Sequence, residues 1–155
     1  YSTEVFLGVY NGVSHRKTVN RYLAKHSVKT CCHPFFTELR KKWYPDGIKS
    51  VPDDLVLTPL TIAIWFCDDG SRSGKHCRFS TESFTVKEVQ LLQDKLELFD
   101  IKTSLELKTS KTSGNKQPII RVSNKSTDAL MNVVKPFINW ECMKYKIYEK
   151  QGTKQ

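Results

Sequence analysis

The stretch from Thr58 to Ser71, reading TPLTIAIWFCDDGS, constrains the fold of this chain more than any other. It is punctuated as a helix. Thr58 is suited to the N-cap, and Pro59 to the first helical position, where its missing N–H costs nothing. Gly70 suits the residue just past the end, where a left-handed backbone is wanted. Between them Leu60, Ile62, Ala63, Ile64, Trp65, Phe66 and Cys67 leave nearly every side apolar. A helix with no solvated face is expected to be buried all round. It is also too short for the roughly 20 residues that span a bilayer. Its expected neighbours are therefore protein elements, or another copy of itself.

The end of this helix is unusual. Asp68 and Asp69 fall in the last turn, where the helix dipole is negative and carboxylates are disfavoured. One reading is a hard-cation site built from carboxylate and free carbonyl oxygens. The other is a solvated Asp-Asp-Gly-Ser turn.

The chain has 155 residues, enough for one domain with a real core, and a net charge of +9. That charge favours a polyanionic partner such as nucleic acid, although ribosomal and membrane-surface proteins share it. The 5 cysteines include no CxxC pair, so a zinc site is not expected and a reduced, intracellular protein is the simpler account. No signal peptide opens the sequence, so secretion is not expected. Without an initiator Met, it reads as beginning inside a longer protein.

Along the chain, Val5–Tyr10 and Val19–Lys29 read as strands joined by a turn at Asn11-Gly12. Arg16, Lys17, Arg21, Lys25 and Lys29 make this region basic, either a nucleic-acid face or a solvated surface. A helix is expected from His33 to Tyr44, with Phe35, Phe36, Leu39 and Trp43 on one face. Pro45-Asp46-Gly47 turns, and Lys49–Leu57 links to the central helix. A second helix lies within Thr81–Phe99. Thr85 and Glu88 form its capping box, and Val86, Val89, Leu92, Leu96 and Phe99 are its apolar positions. These two helices and their lead-ins form a weak internal repeat, offset by about 51 residues.

His76–Ser80, Ile101–Lys108 and Ile119–Ser123 alternate apolar and polar residues, the mark of an antiparallel sheet packed on helices. Ile120 and Val122 are expected on the apolar side, with Ile119 and Arg121 on the polar one. Residues 101–125 carry Lys102, Lys108, Lys111, Lys116, Arg121 and Lys125 against a single acid, Glu106. A basic twisted sheet can enter a major groove and read base edges with Arg, Lys, Asn and Gln. Lysines on strands also simply block edge pairing. The candidate DNA-contacting residues are Lys75, Arg78, Ser80, Lys102, Lys108, Lys111, Asn115, Lys116, Gln117 and Arg121. The last expected helix starts near Ser126 and ends or kinks at Pro136.

IAIWFCDDGS resembles the signature helix of the LAGLIDADG homing endonucleases, in the branch whose motif reads like lAiWFmDDGS. FFTELRKKWYPDGIKSVP (35–52), FSTESFT (79–85), the hairpin near 101–123 and MKYKI (143–147) resemble that branch in the same order. The resemblance covers roughly residues 29 to 148. It implies an α/β (α+β) fold, an antiparallel β-sheet saddle with helices packed on one face. It also implies a site-specific double-stranded DNA endonuclease that uses Mg²⁺ or another divalent cation.

Carried over by motif position, Asp69 is the implied metal ligand, with Asp68 a lesser contributor. Lys144 or Lys146 is the implied lysine near the scissile phosphate, with Lys146 slightly favoured. Glu82 stands where the branch often has Gln. Only one signature motif is present. Residues 1–57 therefore read as the remnant of a first repeat, 58–149 as a complete one and 150–155 as a frayed tail. The expected partner is a second copy, giving a homodimer through helix 59–69 and a pseudo-palindromic target, or a chain carrying the other motif. The alternative function is an RNA-binding intron maturase, or a non-catalytic nucleic-acid-binding relative. The expected setting is an organelle (mitochondrion or chloroplast) or a prokaryotic or phage cytoplasm, with no membrane partner.

Overall fold

The computed structural model describes residues 10–18, 21–29, 32–110, 112 and 114–148, with side chains from residue 32 onward. The chain divides into two compact units, 1–42 and 43–155. In the first, β1 (Tyr10–Thr18) pairs antiparallel with β2 (Arg21–Lys29). The expected turn at Asn11-Gly12 is not one. Those residues lie inside β1, opposite Val28 and Ser27. A nine-residue register outweighs the turn preference of one dipeptide. Helix α1 (Pro34–Trp43) follows, close to the span expected for it. Residues 5–9, Lys111 and the tail from 149 lie outside the described residues.

The second unit holds α2 (Pro59–Asp69), β3 (Gly70–Ser73), β4 (His76–Phe79), α3 (Val86–Glu97), β5 (Thr103–Thr109), β6 (Lys116–Val122), α4 (Thr127–Val134) and α5 (Lys144–Ile147). The strands form one antiparallel sheet in the order β3-β4-β6-β5. Strand β3 has no apolar alternation to announce it. It exists because GSRS pairs with β4, from Gly70 opposite Phe79 to Ser73 opposite His76.

The pleat sorts residues between two faces. Cys77, Phe79, Ile120 and Val122 turn inward and are buried. They meet Ile62, Ala63 and Phe66 of α2, Val89, Leu92 and Leu96 of α3, and Leu130, Met131 and Val134 of α4 in one core. Phe79 anchors it, with ring centroids 4.2 Å from Trp65 and 5.5 Å from Phe66. The helices thus cover one face of the sheet. By register the other face carries Ser71, His76, Arg78, Ser104, Glu106, Lys108, Gln117 and Arg121. Ile119 falls on this outer side, opposite Glu106, yet is buried and stands apart from the core cluster. Val86, expected to be a core position of α3, is exposed because it sits in the first turn, ahead of the packed stretch.

Both capping boxes form. Thr58 pairs with Thr61 at the start of α2, and Thr85 with Glu88 at the start of α3. Glu88 also does long-range work. Its carboxylate accepts from Val51 N–H at 2.8 Å and from the N–H and hydroxyl of Thr85 at 2.7 Å each. Burial alone would raise its pKa, but these bonds and one from Ser50 prevail and hold it at about 2 rather than 4.5. Glu88 therefore staples the linker that feeds α2 to the start of α3. The folded pKa lies below the unfolded one, so the contribution is complete above pH 4.5 and fades as pH falls through about 2. Allowing for partial exposure, it amounts to about 2 kcal/mol. Glu88→Gln is expected to lose about that much at pH 7, with the difference from wild type closing toward pH 2. Urea titrations across that range check both the size and the pH window.

Candidate acidic helix end and nucleic-acid interface

α2 is built to present its C-terminal end. Ile62, Ala63, Phe66 and Cys67 are buried against the core. The opposite side is not. Leu60 and Ile64 are each 48% exposed, and Thr61 and Asp68 share their face. The expectation of burial all round is corrected: within the second unit, and among the described residues, α2 packs chiefly on one side. Composition cannot separate contacts inside a chain from contacts made beyond it. A cleft of about 350 Å³ opens on the free side, bounded by Ile64, Trp65, Leu57 and Phe84, with Asp68 and Asp69 in its lining.

Gly70 is glycine for a reason other than the expected one. Its backbone is extended, at φ −78° and ψ 147°, not left-handed. A Cβ there would lie 2.2 Å from the Phe66 ring and 2.3 Å from the Phe66 carbonyl oxygen. Close packing, not turn geometry, excludes a side chain.

Asp68 and Asp69 are exposed, and among the described residues neither carboxylate makes a side-chain hydrogen bond or ion pair. The Asp69 carbonyl accepts from Ser80 N–H at 3.0 Å, fixing the helix end where β3 begins and β4 stops. Adjacent carboxylates are the right donors for a hard divalent cation. Yet no group of three or more His, Cys, Asp or Glu able to hold a metal exists among the described residues. The donor chemistry fits such an ion, and the donor number among the described residues falls short.

The two candidate lysines of α5 part company. Lys146 is buried, and its ammonium donates to the Phe66 carbonyl at 3.1 Å and to the Cys67 carbonyl. It caps the end of α2 from beneath. Burial pushes the neighbouring Cys67 thiol up, and the Lys146 charge opposes that rise. Lys144 is partly exposed and pairs with Glu141 at 2.5 Å, which raises its pKa. Arg72, which sequence reasoning missed, donates from Nη1 to the Ile147 carbonyl at 2.5 Å and from Nε to the Gly74 carbonyl at 2.9 Å. Its signal was faint: a lone arginine whose strand parity turns it inward.

Of the candidate DNA contacts, Arg78, Lys108, Gln117 and Arg121 share the outer face of the sheet by register. Ser80 continues that side just beyond β4. Lys75 sits in the turn between β3 and β4, and Asn115 in the loop before β6. Lys116 has the opposite parity at the start of β6, and Lys102 precedes β5. Lys108 reaches Glu82 at 3.4 Å, so Glu82 is engaged with the sheet. Ser71, His76 and Glu106 join the same face and were not among the candidates.

Residues 7–130 match the model of the LAGLIDADG DNA endonuclease family. The chain belongs to that family. It is 35% identical over 114 residues to a cytochrome b mRNA maturase bI2 of Debaryomyces hansenii, covering 72% of this chain and 42% of the maturase. It is 31% identical over 126 residues to a probable intron-encoded endonuclease of Wickerhamomyces canadensis, covering 74% and 52%. Among solved structures, the homing endonuclease I-WcaI bound to its DNA recognition sequence superposes with a TM-score of 0.75 at 27% identity, covering 92% of this chain and 66% of that one. The LAGLIDADG chain described here thus spans about half the length of the curated relatives it matches.

Lys146 and Lys144 separate by mutation. Lys146→Met removes the ammonium bonds to the Cys67 and Phe66 carbonyls, the latter keeping only the Gly70 N–H, and is expected to cost about 1–3 kcal/mol. Lys144→Met breaks only a surface pair and is expected to leave stability essentially unchanged. Chemical denaturation of both variants measures the difference.

Proposed function

We propose that the chain forms half of a site-specific DNA endonuclease cleft, completed by a second signature helix docked on the free side of α2. One observation carries this reading. The helix that ends in two unpaired carboxylates also leaves Leu60 and Ile64 half-exposed beside them. A second helix on that face would cover apolar surface and bring further carboxylates to Asp68 and Asp69. That would supply the further donors that a metal needs beyond those among the described residues. The DNA-bound I-WcaI neighbour supports DNA as the partner.

In this reading Asp69, with Asp68, holds Mg²⁺ or another divalent cation. When bound, such an ion supplies phosphate polarisation and a more acidic water. The chain's own residues set the stage. Gly70 and Lys146 fix the helix end, and the outer face of the sheet binds the duplex through Arg78, Lys108, Gln117 and Arg121. Lys144 is the better placed of the two lysines to meet a phosphate, since Lys146 is committed to backbone carbonyls. Residues 1–57 are read as a partial first repeat. The second helix comes from another copy, making a homodimer with a pseudo-palindromic target, or from a polypeptide that carries the other motif. Ala63 faces the core and Ile64 faces out, so a closely crossing helix must supply the small residue itself. That favours a non-identical partner helix. No helix among the described residues is long and apolar enough to cross a membrane. The reading places the protein inside the cell, in an organelle or a prokaryotic or phage cytoplasm.

A second reading is an RNA-binding maturase, favoured by the names of relatives at 35% and 34% identity. Asp69→Asn distinguishes the two. Under the endonuclease reading it is expected to lower Mg²⁺-dependent cleavage at least about a hundredfold while leaving duplex affinity within a few-fold. Full cleavage by the variant sinks the metal role. Light scattering of the chain, free and bound to duplex, reports the completion of the cleft. A mass near twice 17.9 kDa means self-pairing, and a strict monomer means that another chain supplies the helix.

A further inference from the structure

The outer face of the sheet holds an arrangement that general basicity does not account for. Arg78 on β4 and Arg121 on β6 stand directly opposite each other in register. Like charges so placed are destabilising without an anionic or electron-rich partner. Each guanidinium is also tethered rather than left to wander. Arg78 Nε donates to Ser71 Oγ on β3 at 2.9 Å. Arg121 Nη2 lies 3.3 Å from His76 Nδ1 on β4, and its Nη1 lies 3.8 Å from Glu106 Oε2 on β5. Arg121 and Glu106 remain 48% and 49% exposed, so these tethers orient the fork without covering it.

We propose that Arg78 and Arg121 form a paired guanine-reading unit, with Glu106 and His76 as positioning residues for Arg121 and Ser71 for Arg78. This rests on the DNA reading above and names what the sheet recognises. A guanidinium carries five N–H donors, so each arginine keeps donors beyond those its tethers use for the two acceptors, O6 and N7, that guanine alone displays in the major groove. Glu106 is the deciding residue. An exposed carboxylate is repelled by phosphates, so a surface that merely tracks the backbone has no use for it. A surface that reads bases uses it to aim a guanidinium. His76 adds the second restraint: a guanidinium only donates, so in this contact Nδ1 is the acceptor.

The test is selection of duplexes from a randomised pool by the full chain and by Arg78→Ala, Arg121→Ala and Glu106→Gln. Wild type is expected to enrich guanine at two positions. Each arginine variant is expected to lose about tenfold or more discrimination at one of them and to retain the other. Glu106→Gln is expected to bind random duplex more tightly, having shed a negative charge, while discriminating less at the Arg121 position. A merely structural residue would not move affinity and specificity in opposite directions. If the arginine variants select the same sequences as wild type with uniformly weaker binding, the contacts are to phosphate and the proposal is overturned. If wild type retains no duplex at all, the DNA reading itself fails, and this proposal with it.

Discussion

The bond from the Lys146 ammonium to the Phe66 and Cys67 carbonyls is the interaction on which the site depends. It closes a sequence separation of 80 residues and joins the last element of the fold to its central helix. The end of α2 concentrates negative charge: the dipole terminus, its last carbonyls and two carboxylates. A buried cation directly beneath offsets that charge without occupying the outside, where the carboxylates stay free. A buried ammonium in turn needs acceptors, and a helix C-terminus supplies them. Each group is costly alone and acceptable together. Arg72 ties the same α5 segment to β3 through the Ile147 carbonyl, so the strand that leaves α2 and the segment that caps it are fixed to each other.

From that anchored end the sheet follows. The Asp69 carbonyl bonds to Ser80, β3 pairs with β4, and β4 passes the register to β6 and β5. The inner face is occupied by the helices, which leaves the polar parity of every strand on the other side. The acidic helix end and the basic sheet face are thus consequences of one register: a single-residue slip would turn Arg78 and Arg121 into the core and Phe79 and Ile120 out.

Local chemistry was legible in the sequence wherever a residue acts on its own neighbours. Thr58, Pro59, Thr85 and Glu88 mark their helix starts because capping is decided within four residues. The alternation of Cys77 and Phe79 with Arg78 gave β4 its inward side. What stayed hidden depends on distant partners. GSRS has no strand pattern, and only β4 makes it one. Asn11-Gly12 has the chemistry of a turn, but pairing with β2 holds it extended. Gly70 looked like a left-handed terminus, whereas the bulk of Phe66 is what excludes a side chain. Lys146 looked like a free cation because nothing near it in sequence reveals that it is buried. The motif located the two acids, and the family resemblance gave them a role, but neither could reveal which lysine is spoken for.

Two local costs coincide on α2. Leaving Leu60 and Ile64 half-exposed forgoes roughly 1 kcal/mol of burial at each. Placing Asp68 and Asp69 at the negative helix end costs roughly 0.3–1 kcal/mol apiece before any compensation. Elsewhere in the second unit α3 carries a full capping box, β4 alternates cleanly, and no buried side-chain polar atom lacks a partner among the described residues. Proteins tend to break local rules where function requires it. Here the exposed apolar face and the misplaced acids lie on the same few turns, so one event can relieve both. A helix laid against Leu60 and Ile64 removes the first cost. A cation held between its acids and these removes the second. Among the described residues Leu60 and Ile64 stay half-exposed and the two carboxylates unpaired, so under the proposed function the free side of α2 is better understood as an unfinished interface than as a solvated surface.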